Sequence, residues 1–209
     1  MAVKRAFNLV VAASALLVFS PVLLLVALLI LLEDGRPVLF VQERLGKGMQ
    51  PFSVYKFRSM RKGRVTRVGR WIRVTGLDEW LQFLNVIQGS MAIVGPRPMT
   101  LDDVVRLGWN DSGLSRWRCK AGVTGVAQLF AGKGRHVSRF LDDRYARDAT
   151  VWLDLQVIAL SFIVNCLGKH RVRRTLSGWR SWRRRTKRLT CALKGKRKGE
   201  RLAVHAGAT

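Results

Sequence analysis

The sequence predicts an α+β chain, mostly helical: a membrane-embedded N-terminal helix, then a small domain of amphipathic interfacial helices and short strands. Three observations lead there. Ala6 to Leu32 contains no charged residue. Short Val-, Phe- and Tyr-rich segments follow, alternating with stretches of helical spacing. The charge is lopsided, with 38 Lys and Arg against 13 Asp and Glu, a net +25. Residues 36–73 hold 11 basic residues and one acid, and residues 169–209 hold 15 and one. Such a surplus suits a polyanion, whether nucleic acid, an anionic headgroup or a phosphorylated substrate, and is silent on fold.

The first element is "AFNLVVAASALLVFSPVLLLVALLILL". As one helix it would reach about 40 Å, beyond a hydrocarbon core of about 30 Å. It is too long for a signal peptide, and "EDGRP" after it is no small-residue cleavage site. Pro21 removes a backbone donor in mid-segment, and Ser20 can bond back one turn to ease the break. Lys4 and Arg5 precede the segment, and the basic stretch follows it. Two readings are open here: a kinked span, or a helix that bends at Ser20-Pro21 and returns both ends to one face.

Beyond the membrane segment, "RPVLFVQERLG" and "PFSVYKFRSM" read as a hairpin around Gly46 and Gly48. In "RVTRVGRWIRV", Val65, Val68, Trp71 and Ile72 share a face, with Arg64, Arg67, Arg70 and Arg73 beside them. That pattern suits an interfacial helix or a surface helix packed on a core. "VTGLDEWLQFLNV" predicts a helix capped by Thr75, with Asp78 at N3, Glu79 at N4, and an apolar face of Leu77, Trp80, Leu81, Leu84 and Ile87. "GSMAIVGPRP" reads as a strand ending in a rigid turn. Residues 100–107 and 137–149 look helical, with a Gly-rich loop and short strand between them. Residues 151–167 form an apolar helix that Asp154 and Gln156 argue is buried or interfacial rather than a second span. The tail from Lys169 mixes Arg clusters with Trp179 and Trp182, suggesting an interfacial helix and then disorder. The domain boundaries are therefore 1–34, 35–168 and 169–209. The three cysteines are far apart and the three histidines scattered, which argues against a zinc site or a disulfide framework.

Asp78 and Glu79 are the chemically suggestive pair. Acids in a first helical turn complement the helix dipole and need no function. Adjacent residues on a helix also diverge by about 100°, so the two cannot share a proton and suit separate roles, one on the substrate and one on a metal. With Arg73 and Arg97 as candidate neighbours, an ionised aspartate nucleophile and phosphoryl transfer to a lipid are a consistent chemistry.

"PVLFVQERLGKGMQPFSVYKFRSM", "RVTRVGRWIRVTGLDEWLQFLNVIQGSMAIVGPRP" and "GVTGVAQLFAGKGR", in this order and with the Ser-Pro break, resemble the bacterial sugar transferase family of monotopic polyprenyl-phosphate sugar-1-phosphate transferases. The resemblance covers roughly residues 4 to 165. It implies transfer of a sugar-1-phosphate from a UDP-sugar to undecaprenyl phosphate with release of UMP, through a covalent phosphosugar-aspartate intermediate and with Mg²⁺. It implies Asp78 as nucleophile, with Glu79 and Asp78 at the metal. Arg73, Lys56, Arg58, Gln82, Pro96 and Arg97 are the implied substrate-binding residues. It also implies a re-entrant first helix, a catalytic domain on the cytoplasmic face of the bacterial inner membrane, contact with anionic lipid headgroups, and a place in exopolysaccharide, capsule, O-antigen or glycoconjugate assembly. No specific nucleic-acid partner is implied. The chain departs from the family's usual D-E-L-P-Q with Trp80 and Leu81, has Gly76 and Ala121 where Ser and Pro are usual, and keeps only "RKG" where relatives carry a longer acidic loop. A competing reading is a membrane-tethered scaffold whose basic tail holds polyanions.

Overall fold

The computed structural model describes residues 2–129 and 135–167. They divide into one unit ending at Phe162 and a second beginning at Ile163, of which only the end of the last helix is described. The basic tail and residues 130–134 of the Gly-rich stretch lie outside the described residues.

Helix α1 spans Ala2–Asp34 and is the one described helix long and apolar enough to cross a membrane. Pro21 does not interrupt it. The missing proline N–H orphans the Leu17 carbonyl, and Ser20 Oγ donates to that same carbonyl at 2.8 Å. A single stripe of α1 is buried (Asn8, Ala12, Leu23, Val26, Ile30), while Val3, Val10, Leu17, Val18, Leu24 and Leu32 face outward.

Strands β1 (Leu39–Leu45) and β2 (Pro51–Phe57) form the expected hairpin, paired Leu39↔Phe57 through Leu45↔Pro51. Two-residue strands β3 (Met60–Arg61) and β4 (Arg64–Val65) make a second, minimal hairpin. Helix α2 (Arg67–Thr75) starts at Thr66, whose hydroxyl accepts from the Gly69 N–H. The structure divides its expected apolar face. Ile72 is fully buried and Val68 packs beside it, whereas Val65 and Trp71 stay exposed, as does Val74 outside that face.

Next comes a correction. Thr75 is the last residue of α2, not a cap for the following helix, and its hydroxyl donates back to Trp71 O and Ile72 O. Gly76, at φ +76°, ends α2 in the left-handed conformation. Leu77–Glu79 then form one 3-10 turn, and α3 begins only at Gln82, running to Gln88. The expected apolar face around α3 is also divided: Leu81 is buried with Leu77 and Trp80 packed beside it. Gln82 and Asn85 are buried, while Leu84 and Ile87 are exposed. The physical reason is the strand beside it. Asn85 accepts from the Tyr55 N–H and donates to Ser53 O, completing backbone groups of β2.

Strand β5 (Met91–Val94) pairs in parallel with β6 (Ala121–Thr124). Between them lie α4 (Leu101–Leu107) and a 3-10 turn at Ser115–Arg118. Helices α5 (Val126–Leu129), α6 (Arg135–Asp148) and α7 (Val151–Leu167) complete the order. The main core gathers Ala12, Val54, Val86, Met91, Ile93, Val94, Ala121, Tyr145 and Val157. A second cluster joins Leu23, Val26 and Ile30 of α1 to Phe57, Ile72 and Leu81, so the apolar segment itself is built into the domain. Asp154 of α7 is fully buried, while Trp152, Leu155 and Phe162 are exposed.

Candidate active site

The 3-10 turn after Gly76 holds Asp78 and Glu79 between α2 and α3, with the Glu79 N–H donating to Gly76 O at 3.2 Å. Each neighbouring element supplies a group. Alternation on the β1–β2 hairpin, read through its register, puts Phe40, Gln42 and Arg44 on the same face as Phe52, Val54 and Lys56. Val54 is fully buried on that face, and Lys56 reaches Glu79, Nζ to Oε1 2.8 Å. The turn after β5 brings Arg97 to the same oxygen, at 3.5 Å. Gln82, buried at the start of α3, lies beside Glu79 and favours its charged form. A small cleft is lined by Arg44, Val54, Lys56, Glu79, Gln82, Arg97, Pro98, Gly122, Val123 and Gln128.

The two carboxylates differ in environment. Burial pushes Glu79 upward, but Lys56, Arg97 and Gln82 more than offset this and hold its pKa below the ordinary value. Burial and then the Glu79 charge push Asp78 above the ordinary aspartate value, against the weaker pull of Lys56 and Arg73. Among the described residues Asp78 forms no ion pair. One acid is thus clamped and charged, and its neighbour is left free with a more basic carboxylate.

The structure brings Asp78, Glu79, Lys56, Gln82 and Arg97 together, with Arg73 close enough to Asp78 to act on its charge. Arg73 also donates through Nε to Ser59 Oγ at 2.7 Å. Gly69 permits that approach, because a Cβ there would lie 2.0 Å from Ser59 O. Arg58 goes elsewhere, its guanidinium donating to Gly35 O at 2.8 Å. Pro96 is buried, and its carbonyl accepts from the Gly122 N–H at 2.9 Å. Sequence reasoning missed Arg44 and Gln128. Arg44 could have been found from the hairpin's period of two, which puts it on the face of Lys56. Among the described residues no three His, Cys, Asp or Glu side chains are grouped to hold a metal ion by themselves.

Comparison with known proteins gives this geometry a context. Residues 1–168 match the family described as bacterial sugar transferase. The undecaprenyl-phosphate glucose phosphotransferase of Komagataeibacter xylinus is 38% identical over 186 residues, covering 76% of this chain and 35% of the relative. The UDP-glucose:undecaprenyl-phosphate glucose-1-phosphate transferase of Escherichia coli (strain K12) is 35% identical over 190 residues, 79% of this chain and 40% of the relative. The UDP-N-acetylgalactosamine-undecaprenyl-phosphate N-acetylgalactosaminephosphotransferase of Aeromonas hydrophila is 34% identical over 176 residues, 75% of this chain and 42% of the relative. The matched region thus spans well under half the length of these three relatives. With the match running through α1, the hairpin, the Asp78-Glu79 turn and α7, the chain belongs to the bacterial sugar transferase family.

Proposed function

We propose that this chain transfers a sugar-1-phosphate from a UDP-sugar to undecaprenyl phosphate and releases UMP, an opening step of exopolysaccharide, capsule, O-antigen or glycoconjugate assembly. The observation that carries this reading is the contrast between the two acids: Glu79 clamped by Lys56 and Arg97, Asp78 unpaired in the same turn. An Asp78 oxygen attacks the phosphorus that bears the sugar. The bond from that phosphorus to the UMP oxygen breaks, and UMP leaves with the electron pair. An acyl phosphate then links Asp78 to the sugar. A phosphate oxygen of undecaprenyl phosphate attacks the same phosphorus, the Asp78–phosphorus bond breaks, and the free carboxylate is restored. Arg97, Lys56 and Arg44 supply positive charge around the cleft where the diphosphate charge would shift. Gln82, beside Glu79, favours its ionised form.

Mg²⁺ fits this donor set. It is commonly held by one or two carboxylates together with substrate phosphates, and Asp78 and Glu79 are two hard carboxylates beside a basic cleft. Bound there, it would neutralise diphosphate charge and the developing charge on UMP. The relatives' names cover more than one sugar, glucose and N-acetylgalactosamine, so a UDP-sugar panel is the way to find this chain's own.

We also infer that α1 is re-entrant, with the catalytic domain on the cytoplasmic face and its exposed Trp71, Val74, Leu84 and Ile87 at the anionic membrane surface. Contacts of both helix ends with the same domain support this.

The test is purified protein with undecaprenyl phosphate, Mg²⁺ and each UDP-sugar, read as UMP release. Asp78→Asn is expected to lower the rate by at least about 10³-fold, as for loss of a nucleophile. Full activity in that variant overturns the mechanism. Dependence on the basic tail with indifference to Asp78 would instead favour a scaffold.

A further inference from the structure

Arg116 is buried to 2% exposure, outside the cleft, and the reaction described above does not use it. Its surroundings are unusually well defined. The guanidinium carbon lies 4.5 Å from the Trp109 ring centroid and 4.8 Å from that of Trp117. Trp117 is itself fixed, its Nε1 donating to Trp109 O at 3.2 Å. One arm of the guanidinium is 3.3 Å from Asp142 Oδ2 of α6, an acid as buried as Arg116. The other arm donates to the Arg97 carbonyl at 2.8 Å.

A buried arginine is costly to desolvate, and a surface residue would hold a turn at lower cost. What burial adds is rigidity. Two indoles pack against the planar fork and Asp142 lies beside one arm, so the arm that makes a hydrogen bond is the one directed at the Arg97 carbonyl. That direction is the backbone of the residue whose side chain meets Glu79, 3.5 Å away. The chain of contacts runs Asp142, Arg116, Arg97 carbonyl, Arg97 guanidinium, Glu79.

We propose that Arg116 is a positioning residue for the transfer reaction: it fixes the Pro96-Arg97-Pro98 turn so that the Arg97 guanidinium is held at Glu79. The inference rests on the proposed activity for its kinetic consequence and on the contacts alone for its structural one. Lysine at 116 can keep one contact but lacks the planar fork that reaches both Asp142 and the Arg97 carbonyl while packing on the indoles.

The experiment is a double-mutant cycle in the full chain. Arg116→Lys is expected to lower kcat/KM for UMP release about 10-fold or more, and Asp142→Asn by about 3-fold, while neither lowers it further once Arg97→Gln is present. A loss that multiplies with that of Arg97→Gln shows that Arg116 does not act through Arg97 and overturns the proposal. So does a folded Arg116→Lys protein with wild-type kinetics. If Arg116→Lys does not fold, Asp142→Asn is judged by the same criteria.

Amide exchange separates this proposal from the activity itself. The Gly122 N–H donates to Pro96 O, and the Tyr55 N–H donates to Asn85 Oδ1 away from the turn. Arg116→Lys is expected to speed exchange at Gly122 several-fold and leave Tyr55 unchanged, whether or not any UDP-sugar is turned over. Equal change at both sites, or none at either, overturns the positioning role. A wild-type protein that releases no UMP from any UDP-sugar overturns the activity and leaves this second readout to decide.

Discussion

At the scale of single residues, Lys56 is the group that separates the two acids. It sits 2.8 Å from Glu79 and pulls Asp78 downward against burial and the Glu79 charge. In the proposed mechanism Asp78 reacts as a carboxylate, so its raised pKa would put an acid limb in the pH–rate profile above that of an ordinary aspartate. Removing Lys56 removes a positive charge near Asp78 and leaves Glu79 less compensated, and both changes disfavour an ionised Asp78. Lys56→Met is therefore expected to move the acid limb of kcat/KM to higher pH, besides lowering its plateau. The check is a kcat/KM profile for both proteins, carried down through the pH range in which ordinary carboxylates titrate so that the acid limb is seen. A limb that stays in place or moves lower refutes this electrostatic account of Asp78.

At the scale of elements, the cleft depends on how closely β5, β6 and the loops after them approach. A Cβ on Gly122 would lie 2.1 Å from Gly95 N and 2.4 Å from Thr124 O, and one on Gly125 would lie 2.1 Å from Gly95 O. Backbone atoms cannot yield as a flexible side chain can. Gly122→Ala is expected to cost about 1–3 kcal/mol and to push β6 away from Pro96. Thermal unfolding should show a midpoint lowered by about 2–10 °C for a chain of this size, with UMP release reduced well below the wild-type rate at temperatures where the variant stays folded. These glycines were visible in the sequence only as a loop signal, since their close approach needs the parallel pairing of β5 with β6. The same limit explains the other differences. The acids, Lys56, Gln82 and Arg97 were legible because ordered motifs contain them, whereas Arg44 needed the hairpin register. Thr75 three residues before Asp78 looked like a cap, but Gly76 after a helical run with Arg73 in its last turn was the stronger signal, a helix end. Around α3 the spacing gives one apolar face, but the 3-10 turn before Gln82 divides it: Leu77, Trp80 and Leu81 pack against α1, while Leu84 and Ile87 stay outward and Asn85 is used inside.

At the scale of the whole described unit, α1 decides how the chemistry meets the membrane. Near its start, Lys4 lies 2.8 Å from the fully buried Asp154, and Arg5 donates to the carbonyls of Val86 and Ile87. Asn8 accepts from the Ile93 N–H at 3.1 Å. Near its end, Glu33 accepts from the N–H groups of Arg67 and Val68, each at 2.9 Å, and Asp34 pairs with Arg61 at 3.8 Å. In a straight helix these ends are about 44 Å apart, enough to separate them across a bilayer. Anchoring both to one domain instead asks that both stay on the side where that domain lies. On the proposed re-entrant arrangement, the middle of α1, with Leu17, Val18, Leu24 and Leu25 outward around the repaired Ser20-Pro21 step, is the part that would enter lipid. Cysteine labelling decides the matter. With Cys119, Cys166 and Cys191 replaced by Ser, Val3→Cys and Lys47→Cys are introduced separately, and intact cells are treated with a membrane-impermeant maleimide. Re-entrance predicts that neither site is labelled from outside and that both are labelled once the membrane is permeabilised. Labelling at residue 3 from outside, with residue 47 protected, would make α1 a span. It would also require the Lys4–Asp154 pair to be broken in the membrane, which a buried, otherwise uncompensated carboxylate strongly resists.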